Sequence, residues 1–403
     1  MTNGSPPVRV ALFTGGIDRH YATGLCKTLA TAGVHVDVIC NSEMSSDEGL
    51  RSMQNLALQT IYPISRANSN KFEKVLAFIA VYLRFIVYAV TTRNEVFHIL
   101  WNYKFPVFDR TLLLLFYKLL GKRVVFTAHN INAAERDGSD SLLNRLSLRF
   151  QYRNVDNIFV HTEKMKEQLI HIFGVREQHV TVIPFGTYDM VPQTSLTPSE
   201  AKQRLGLKGS EKAVLFFGRI APYKGLDLLV DAFLRVASKD ASYRLIIAGE
   251  PMKDAGSQWR DLRNLIERST VRKQVIQQTR YIPDDEIEVF FKAADVLALP
   301  YTGIFQSGVL FMSYSFGLPV IATDVGSFGS DIVQGETGFV CRAADSEDLA
   351  RTIETYFSSG LYKTLDGRRG QIKDFIRESH SWTDAGSKTV DLYTMFRRGR
   401  AVA

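Results

Sequence analysis

Val8-Arg9-Val10-Ala11-Leu12-Phe13, followed at once by Thr14-Gly15-Gly16, decides the fold. A short, nearly continuous apolar run reads as a strand buried on both faces. The two glycines behind it turn the chain into a helix that carries Leu25, Leu29 and Ala30. Outward from this unit the alternation repeats. Strands are expected at 34–39, 96–100, 124–128, 157–160 and 180–183, with a helix at 111–120. Strands alternating with helices predict an α/β chain with a parallel, doubly wound sheet.

Residues 184–198 are richer in Pro, Thr and Ser and read as a linker. The alternation then restarts. Ala213-Val214-Leu215-Phe216-Phe217 is a second opening strand, and Gly218 begins its turn. Strands are expected at 243–248, 296–299, 320–322 and 338–340, and helices at 226–237, 284–294, 307–316, 346–356 and 383–397. The division is an N-terminal Rossmann-like domain (1–187), a C-terminal one (188–380), and a last helix (381–403) able to cross back to the first. In such sheets ligands bind beyond the carboxyl ends of the strands. Two of these domains facing across a cleft would place both sets of post-strand residues in one site.

Composition agrees and excludes several classes. The chain has 403 residues, 45% hydrophobic and 23% charged, which are globular proportions and too long for one core. Lys and Arg number 49 against 42 Asp and Glu, a net charge of +7 suited to anionic small molecules or anionic lipid. Residues 1–190 hold 21 basic and 16 acidic side chains. Within 66–93, Arg66, Lys71, Lys74, Arg84 and Arg93 face only Glu73, with Phe72, Phe78, Tyr82, Phe85 and Tyr88 interleaved. That pattern suits the inner face of an anionic membrane. The apolar run 75–90 is interrupted by Arg84 and is shorter than the roughly 20 residues of a membrane span, so a buried or surface-lying helix is expected. There is no Lys/Arg-rich arm of the nucleic-acid kind, and no nucleic-acid partner is expected. Cys26, Cys40 and Cys341 form neither a disulfide framework nor a metal-ligand set. With no signal peptide in the first residues, a cytoplasmic location follows.

The post-strand residues carry the chemistry. Gly15 and Gly16 would let a substrate approach the backbone and leave helix amides open to an anion, or serve only a tight turn. His129, in Thr127-Ala128-His129-Asn130, could carry a proton or donate a hydrogen bond, or be a satisfied core histidine. Phe217-Gly218-Arg219 with Tyr223-Lys224-Gly225 sets two cations beside helix amides, an arrangement suited to a diphosphate. The richest segment is Pro300-Tyr301-Thr302-Gly303-Ile304-Phe305-Gln306-Ser307-Gly308-Val309-Leu310. Ser307 reads as a helix N-cap, and Gly308 keeps that helix terminus open to a phosphate. Asp284-Asp285-Glu286 follow Pro283 and read as first-turn acids complementing a helix dipole rather than as a metal cluster.

Taken in order, these motifs resemble the family 4 glycosyltransferases of GT-B fold. The residues that carry the resemblance are Gly218-Arg219, Lys224-Gly225, the loop ending Gln306-Ser307-Gly308-Val309-Leu310, and Phe316-Gly317-Leu318-Pro319-Val320-Ile321-Ala322-Thr323. Asp324-Val325-Gly326 and Gly335-Glu336-Thr337-Gly338-Phe339-Val340 continue it, and Gly15-Gly16 and Thr127–Asn130 fit its N-terminal half. The resemblance implies transfer of a hexose-type sugar from a nucleotide sugar to a glycan or lipid-linked acceptor, usually with retention. It implies the donor on the C-terminal domain and the acceptor on the N-terminal one. It assigns Arg219 and Lys224 to the donor diphosphate, His129 to the neighbourhood of the transferred sugar, and Gly15, Gly16, Gly218, Gln306, Ser307, Gly308 and Val309 to donor binding. It implies no metal and no cofactor. The family's two glutamates, eight positions apart, fall here on Ile304 and Met312, neither of which can accept a hydroxyl's hydrogen bond as a carboxylate would. A catalytically silent protein that binds a nucleotide sugar or a partner is therefore the competing expectation.

Overall fold

The computed structural model describes residues 8–62, 71–187, 191–252 and 255–401. The chain divides into two compact units, Met1–Gly186 with His380–Ala403, and Thr187–Ser379.

The N-terminal unit is built on β1 (Arg9–Phe13), β2 (His35–Asn41), β3 (Leu56–Tyr62), β4 (Val96–Ile99), β5 (Arg123–Thr127), β6 (Asn157–Val160) and β7 (Val180–Val182). They form one seven-stranded sheet in the order β3-β2-β1-β4-β5-β6-β7, and every pairing is parallel. Leu12 lies opposite both Val38 and His98, so β1 is central and its four last residues are fully covered, as its unbroken apolar sequence requires. The order reverses between β1 and β4, the switch point at which such sheets open a crevice.

The C-terminal unit repeats the plan with β8 (Lys212–Phe217), β9 (Tyr243–Ala248), β10 (Val275–Gln278), β11 (Val296–Leu299), β12 (Val320–Thr323) and β13 (Gly338–Cys341). The order is β10-β9-β8-β11-β12-β13, again parallel throughout, with its switch point between β8 and β11. The helix Leu226–Ala237 covers this sheet with Leu229, Val230, Phe233 and Val236, all buried.

The structure corrects the sequence reading in several places. It adds β3 and β10, both at a sheet edge. The helix expected at 111–120 is a longer run that begins at Pro106 and ends at Leu119, with a π-turn over Asp109–Leu113. The linker ends early: Thr194 donates from its amide (2.6 Å) and its hydroxyl (2.7 Å) to the Glu288 carboxylate, and Thr197 with Glu200 forms a capping box on the helix Pro198–Arg204. Residues 188–190 of that linker lie outside the described residues. So do residues 1–7, where the absence of a signal peptide was read, and so does Arg66. Of the basic stretch around 66–93, the helix Lys71–Thr91 is described. Its aromatic residues divide: Phe72 is exposed and Tyr82 and Phe85 are buried, while the aliphatic Leu76, Ile79, Leu83 and Val87 are exposed.

The last helix, Trp382–Ala401, packs on the helix Arg19–Thr31 within the N-terminal unit. The Trp382 indole occupies the space that a Cβ at Gly24 or Gly186 would fill. Tyr393 hydrogen-bonds buried His98 Nδ1 (2.5 Å), and His98 Nε2 meets the Thr127 hydroxyl (2.7 Å). Burial holds His98 down to about 3, so this link is between neutral groups.

Candidate functional site

Each unit gathers its candidate residues behind the carboxyl ends of its own strands. In the N-terminal unit, Gly15 sits just beyond β1 with φ +61°. A Cβ there would lie 2.6 Å from Trp101 Cβ and 2.9 Å from the Trp101 carbonyl oxygen, so only glycine fits the approach of the two loops. Gly15 N–H donates to the Tyr62 hydroxyl (3.1 Å). Gly16, at φ +70°, has open space beside it. The helix that follows is closed to an anion: the Asp18 carboxylate accepts from Tyr21 N (3.0 Å) as its N-cap. The expectation that these glycines leave helix amides open is thus corrected, because a carboxylate already holds that terminus.

His129 lies two residues beyond β5 and stacks on Trp101, ring centroids 4.1 Å apart and planes within 5°. Tyr21 meets it edge-on at 4.6 Å. Its Nδ1 is 3.2 Å from His161 Nε2, and His161 Nδ1 is 3.3 Å from the Ile183 carbonyl oxygen. A carbonyl only accepts, so His161 donates from Nδ1 and accepts at Nε2. His129 must then donate from Nδ1, which leaves its Nε2 as an acceptor. That nitrogen is buried and has no hydrogen-bond partner. Burial lowers the basicity of both rings, His161 to about 4 and His129 well below its ordinary range, where His161 and His98 also oppose a charge on it. His129 therefore offers a neutral acceptor to a hydroxyl, rather than the donor its position suggested.

In the C-terminal unit three segments converge on Gly218, which has φ +101°. A Cβ there would lie 2.7 Å from Lys224 Nζ and 3.8 Å from Val309 Cγ2. Lys224 is 7% exposed and its ammonium stands 5.5 Å above the Tyr301 ring. Gly225, in the left-handed region, presses on Pro300: an added Cβ would be 2.0 Å from that carbonyl oxygen. Two helices start beside this cluster, Leu226–Ala237 and Gly308–Ser315, and neither has a side-chain cap. Ser307 stands at the N-cap position, as the sequence reading has it, but its hydroxyl makes no capping hydrogen bond. Two uncapped N-termini and a buried ammonium form a ready anion site. Arg219 is looser, its side chain 70% exposed and its Nε 3.7 Å from Glu250.

The loop after β11 is clamped from below. Ser327 N donates to the Phe305 carbonyl (2.9 Å), and a Cβ on Gly326 would meet the Ile304 carbonyl at 2.3 Å. Gln306 hydrogen-bonds Asp331, while its own Oε1 is buried without a partner. Burial pushes Asp331 up to about 6, against the Ser327 hydroxyl at 2.5 Å and Gln306. Met312 is buried inside its helix. Asp284, Asp285 and Glu286 stand in the first turn of Asp284–Ala293, with Glu286 paired to Arg280. Among the described residues no group of His, Cys, Asp and Glu could hold a metal ion.

The structure thus groups Gly15, Gly16 and His129 in one place and Gly218, Lys224, Ser307, Gly308 and Val309 in another. Sequence reasoning missed Trp101, His161, Tyr62 and Asp331. Trp101 and His161 each follow a strand end by one or two residues, so the rule that picked out His129 could have found them.

Comparisons with known proteins follow the same division. Residues 14–187 match the family described as Glycosyltransferase Family 4, and residues 211–359 match Glycosyl transferases group 1. A D-inositol 3-phosphate glycosyltransferase of Corynebacterium efficiens is 25% identical over 284 residues, 67% of this chain and 65% of that protein. A mannosylfructose-phosphate synthase of Agrobacterium fabrum is 30% identical over 250 residues, 60% of this chain and 53% of that one. The matched region thus spans less than two thirds of either relative. Among solved structures, a sucrose-phosphate synthase from Thermosynechococcus elongatus superposes with a TM-score of 0.77 at 17% identity, covering 97% of this chain and 100% of that one. Anabaena HepE in complex with UDP-glucose gives 0.75 at 15%, covering 96% and 99%. At these identities the likeness is one of fold.

Proposed function

This chain belongs to glycosyltransferase family 4 and has the GT-B fold, and from that premise we propose that it moves a hexose-type sugar from a nucleotide-sugar donor to a glycan or lipid-linked acceptor, with retention at the anomeric carbon. The observation that carries the reading is the buried Lys224 ammonium beside Gly218, flanked by two helix N-termini without side-chain caps. In this proposal the donor diphosphate lies there. Lys224, the amides at Ser307–Gly308 and the more exposed Arg219 stabilise the negative charge that grows on the leaving diphosphate. Those fixed cations and dipoles do the work a metal ion would otherwise do. The acceptor hydroxyl attacks the oxocarbenium-like carbon on the face the diphosphate leaves, and its proton passes to the departing diphosphate oxygen. His129 Nε2, a buried acceptor, takes one hydrogen bond from a sugar hydroxyl and so fixes the ring.

Backbone groups of the clamped 304–308 loop replace the two glutamates of the wider family. The same departure, Ile304 and Met312 at those positions, favours the second reading, a silent protein that binds a nucleotide sugar without turning it over. The remaining part of the proposal is location: a cytoplasmic protein held at the inner face of a membrane, with 66–93 against anionic lipid. A mass-spectrometric screen of nucleotide sugars, scored for binding and for slow hydrolysis, tests the transferase. Hydrolysis of one sugar nucleotide that Lys224→Ala abolishes supports it. Tight binding with no turnover in the presence of candidate acceptors makes the silent reading the correct one, and binding to none overturns both.

A further inference from the structure

Three consecutive connections of the N-terminal unit lie side by side. The helix Lys71–Thr91 meets the segment Pro106 to Leu119 through Tyr82 with Phe108 (ring centroids 5.2 Å), and Phe78 meets Phe105, the residue just before that segment (6.0 Å). That segment meets the helix Leu142–Asn154 through Arg110, which donates to Asn144 Oδ1 (2.7 Å) and Ser147 Oγ (3.2 Å). Their inner faces are ordinary core. Their outer faces are apolar as well. On the first helix Leu76, Ile79, Leu83, Val87 and Val90 recur at helical spacing, with Leu83 56% exposed. Leu112, Leu115 and Leu119 continue the pattern on the second, with Leu119 86% exposed, and Leu142, Leu143 and Leu146 on the third. Most of the large apolar side chains that the described residues expose belong to this one layer. A solvated helix layer carries charge on that face; a continuous apolar one marks an interface.

The charge around the face selects its occupant. The described basic side chains of the helices Lys71–Thr91 and Leu142–Asn154 are Arg84, Arg145, Arg149 and Arg153, the helices' one acid is Glu73, Asp140 just before the second is paired to Arg145, and Asp109 of the middle segment is buried. Two copies of this chain docked face to face would oppose like charges, whereas anionic headgroups complement them. No described helix is long and apolar enough to cross a membrane, so the fit is in the plane of the bilayer.

We propose that the outer face of these three segments docks into a phospholipid bilayer bearing anionic headgroups, its leucines and valines entering the headgroup–acyl boundary while basic side chains lie among the headgroups. The inference deepens the membrane attachment proposed above and rests on it for the choice of lipid. It differs in the driving force. Attachment by charge alone is screened by salt, and apolar insertion is not.

The three cysteines, Cys26, Cys40 and Cys341, are all buried. Leu83→Cys in the full chain therefore accepts an environment-sensitive thiol dye at one site, and Leu265→Cys, at an exposed position of the other unit, is its control. The probe is a vesicle of phosphatidylcholine and phosphatidylglycerol with brominated acyl chains. The expected result is quenching at Leu83→Cys and none at Leu265→Cys, with a vesicle-bound fraction that changes less than about twofold between roughly 0.1 and 1 M salt. The triple variant Leu76→Gln, Leu83→Gln, Val87→Gln lowers partitioning at least about tenfold with unchanged circular dichroism. No quenching at either dye overturns the insertion. Binding that vanishes at high salt also overturns it and leaves attachment by charge standing, while no binding at any salt overturns both. A lipid-free dimer that shields the Leu83→Cys dye makes a second copy the occupant and overturns the proposal. None of these measurements requires turnover, so their failure is separate from failure of the transferase reading.

Discussion

Lys224→Met separates a structural lysine from a diphosphate anchor. The ammonium is 7% exposed, stands 5.5 Å above the Tyr301 ring, and lies where a Gly218 Cβ would touch it at 2.7 Å. Methionine keeps the stem against those neighbours and removes the ammonium with its contact to the Tyr301 ring, so the unliganded protein should melt within a few degrees of the parent. The ligand-bound state should differ sharply. A charge-assisted contact of this kind contributes about 1.5–3 kcal/mol, and at about 1.4 kcal/mol per decade its loss weakens diphosphate binding roughly ten- to a hundredfold. At a ligand concentration a hundred times the parent's Kd, the parent gains about 2.7 kcal/mol of stability; a variant a hundredfold weaker gains only about 0.4. Thermal shift and titration calorimetry with UDP, GDP and ADP therefore read the same loss independently. Arg219→Gln, at a side chain 70% exposed, should weaken binding less than Lys224→Met. A Lys224→Met protein that keeps its nucleotide-induced shift, or that unfolds without ligand, refutes the assignment of the diphosphate to this cluster.

Three further outcomes follow from the same geometry. Gly218→Ala must place a Cβ at φ +101° against Lys224 Nζ; it should cost about 1–2 kcal/mol of stability and weaken nucleotide binding by roughly a decade, and unchanged calorimetric affinity would contradict the contact. Long-range proton–nitrogen correlation spectra should show both His129 and His161 as neutral rings protonated at Nδ1 and unchanged from pH 7 to 5; an Nε2–H signal for His129 would contradict the chain that ends on the Ile183 carbonyl. Acid should loosen the N-terminal unit before the C-terminal one. His98 (about 3), His161 and His380 (both about 4) are held below the unfolded value of about 6.5, so the unfolded chain binds more protons and stability falls as pH drops from about 6.5 to 4, by about 3 kcal/mol for His161. Asp109, raised to about 6, offsets part of that loss in the same unit. Asp331, also about 6, acts alone among these in the C-terminal unit, where stability rises as pH falls through 6. Scanning calorimetry at pH 7 and 4.5 should show the N-terminal transition moving down further, and equal movement would refute the account.

The buried strands were legible because burial on both faces writes an uninterrupted apolar run, as in Val10 to Phe13 or Val214 to Phe217. The two strands that were not, Leu56–Tyr62 and Val275–Gln278, lie at sheet edges, where half-buried positions admit Gln59, Gln277 and Gln278 and an exposed one admits Thr60. The candidate site was legible in the same partial way. Post-strand residues such as Gly218 and His129 occupy positions the sheet itself dictates. What those residues touch depends on loops that meet only in three dimensions: Trp101 over His129, Lys224 over Gly218, Asp331 under Gln306. The Asp18 cap was hidden for another reason, since one carboxylate three residues before Tyr21 decides whether a helix terminus is open, and the glycines before it give no sign. On the helix Lys71–Thr91 the interleaving of aromatic and basic residues was legible but not which of them face inward: Tyr82 and Phe85 take the inner side, and Phe72 with the aliphatic side chains stays outside.

The path of the backbone has a consequence for biosynthesis. The N-terminal unit contains the first 186 residues and the last stretch from His380 to Ala403, with the entire C-terminal unit inserted between them. On the ribosome the seven-stranded sheet is made early, yet Trp382 and Tyr393 are translated only after the whole of the inserted unit. Until then the slot between Gly24 and Gly186 and the buried edge of His98 stand open to water. The inserted unit has all of its strands in hand and is free to fold first. A nascent chain stalled just before Trp382 should thus present a finished second unit and an unfinished first one, inverting the order in which the two were synthesised.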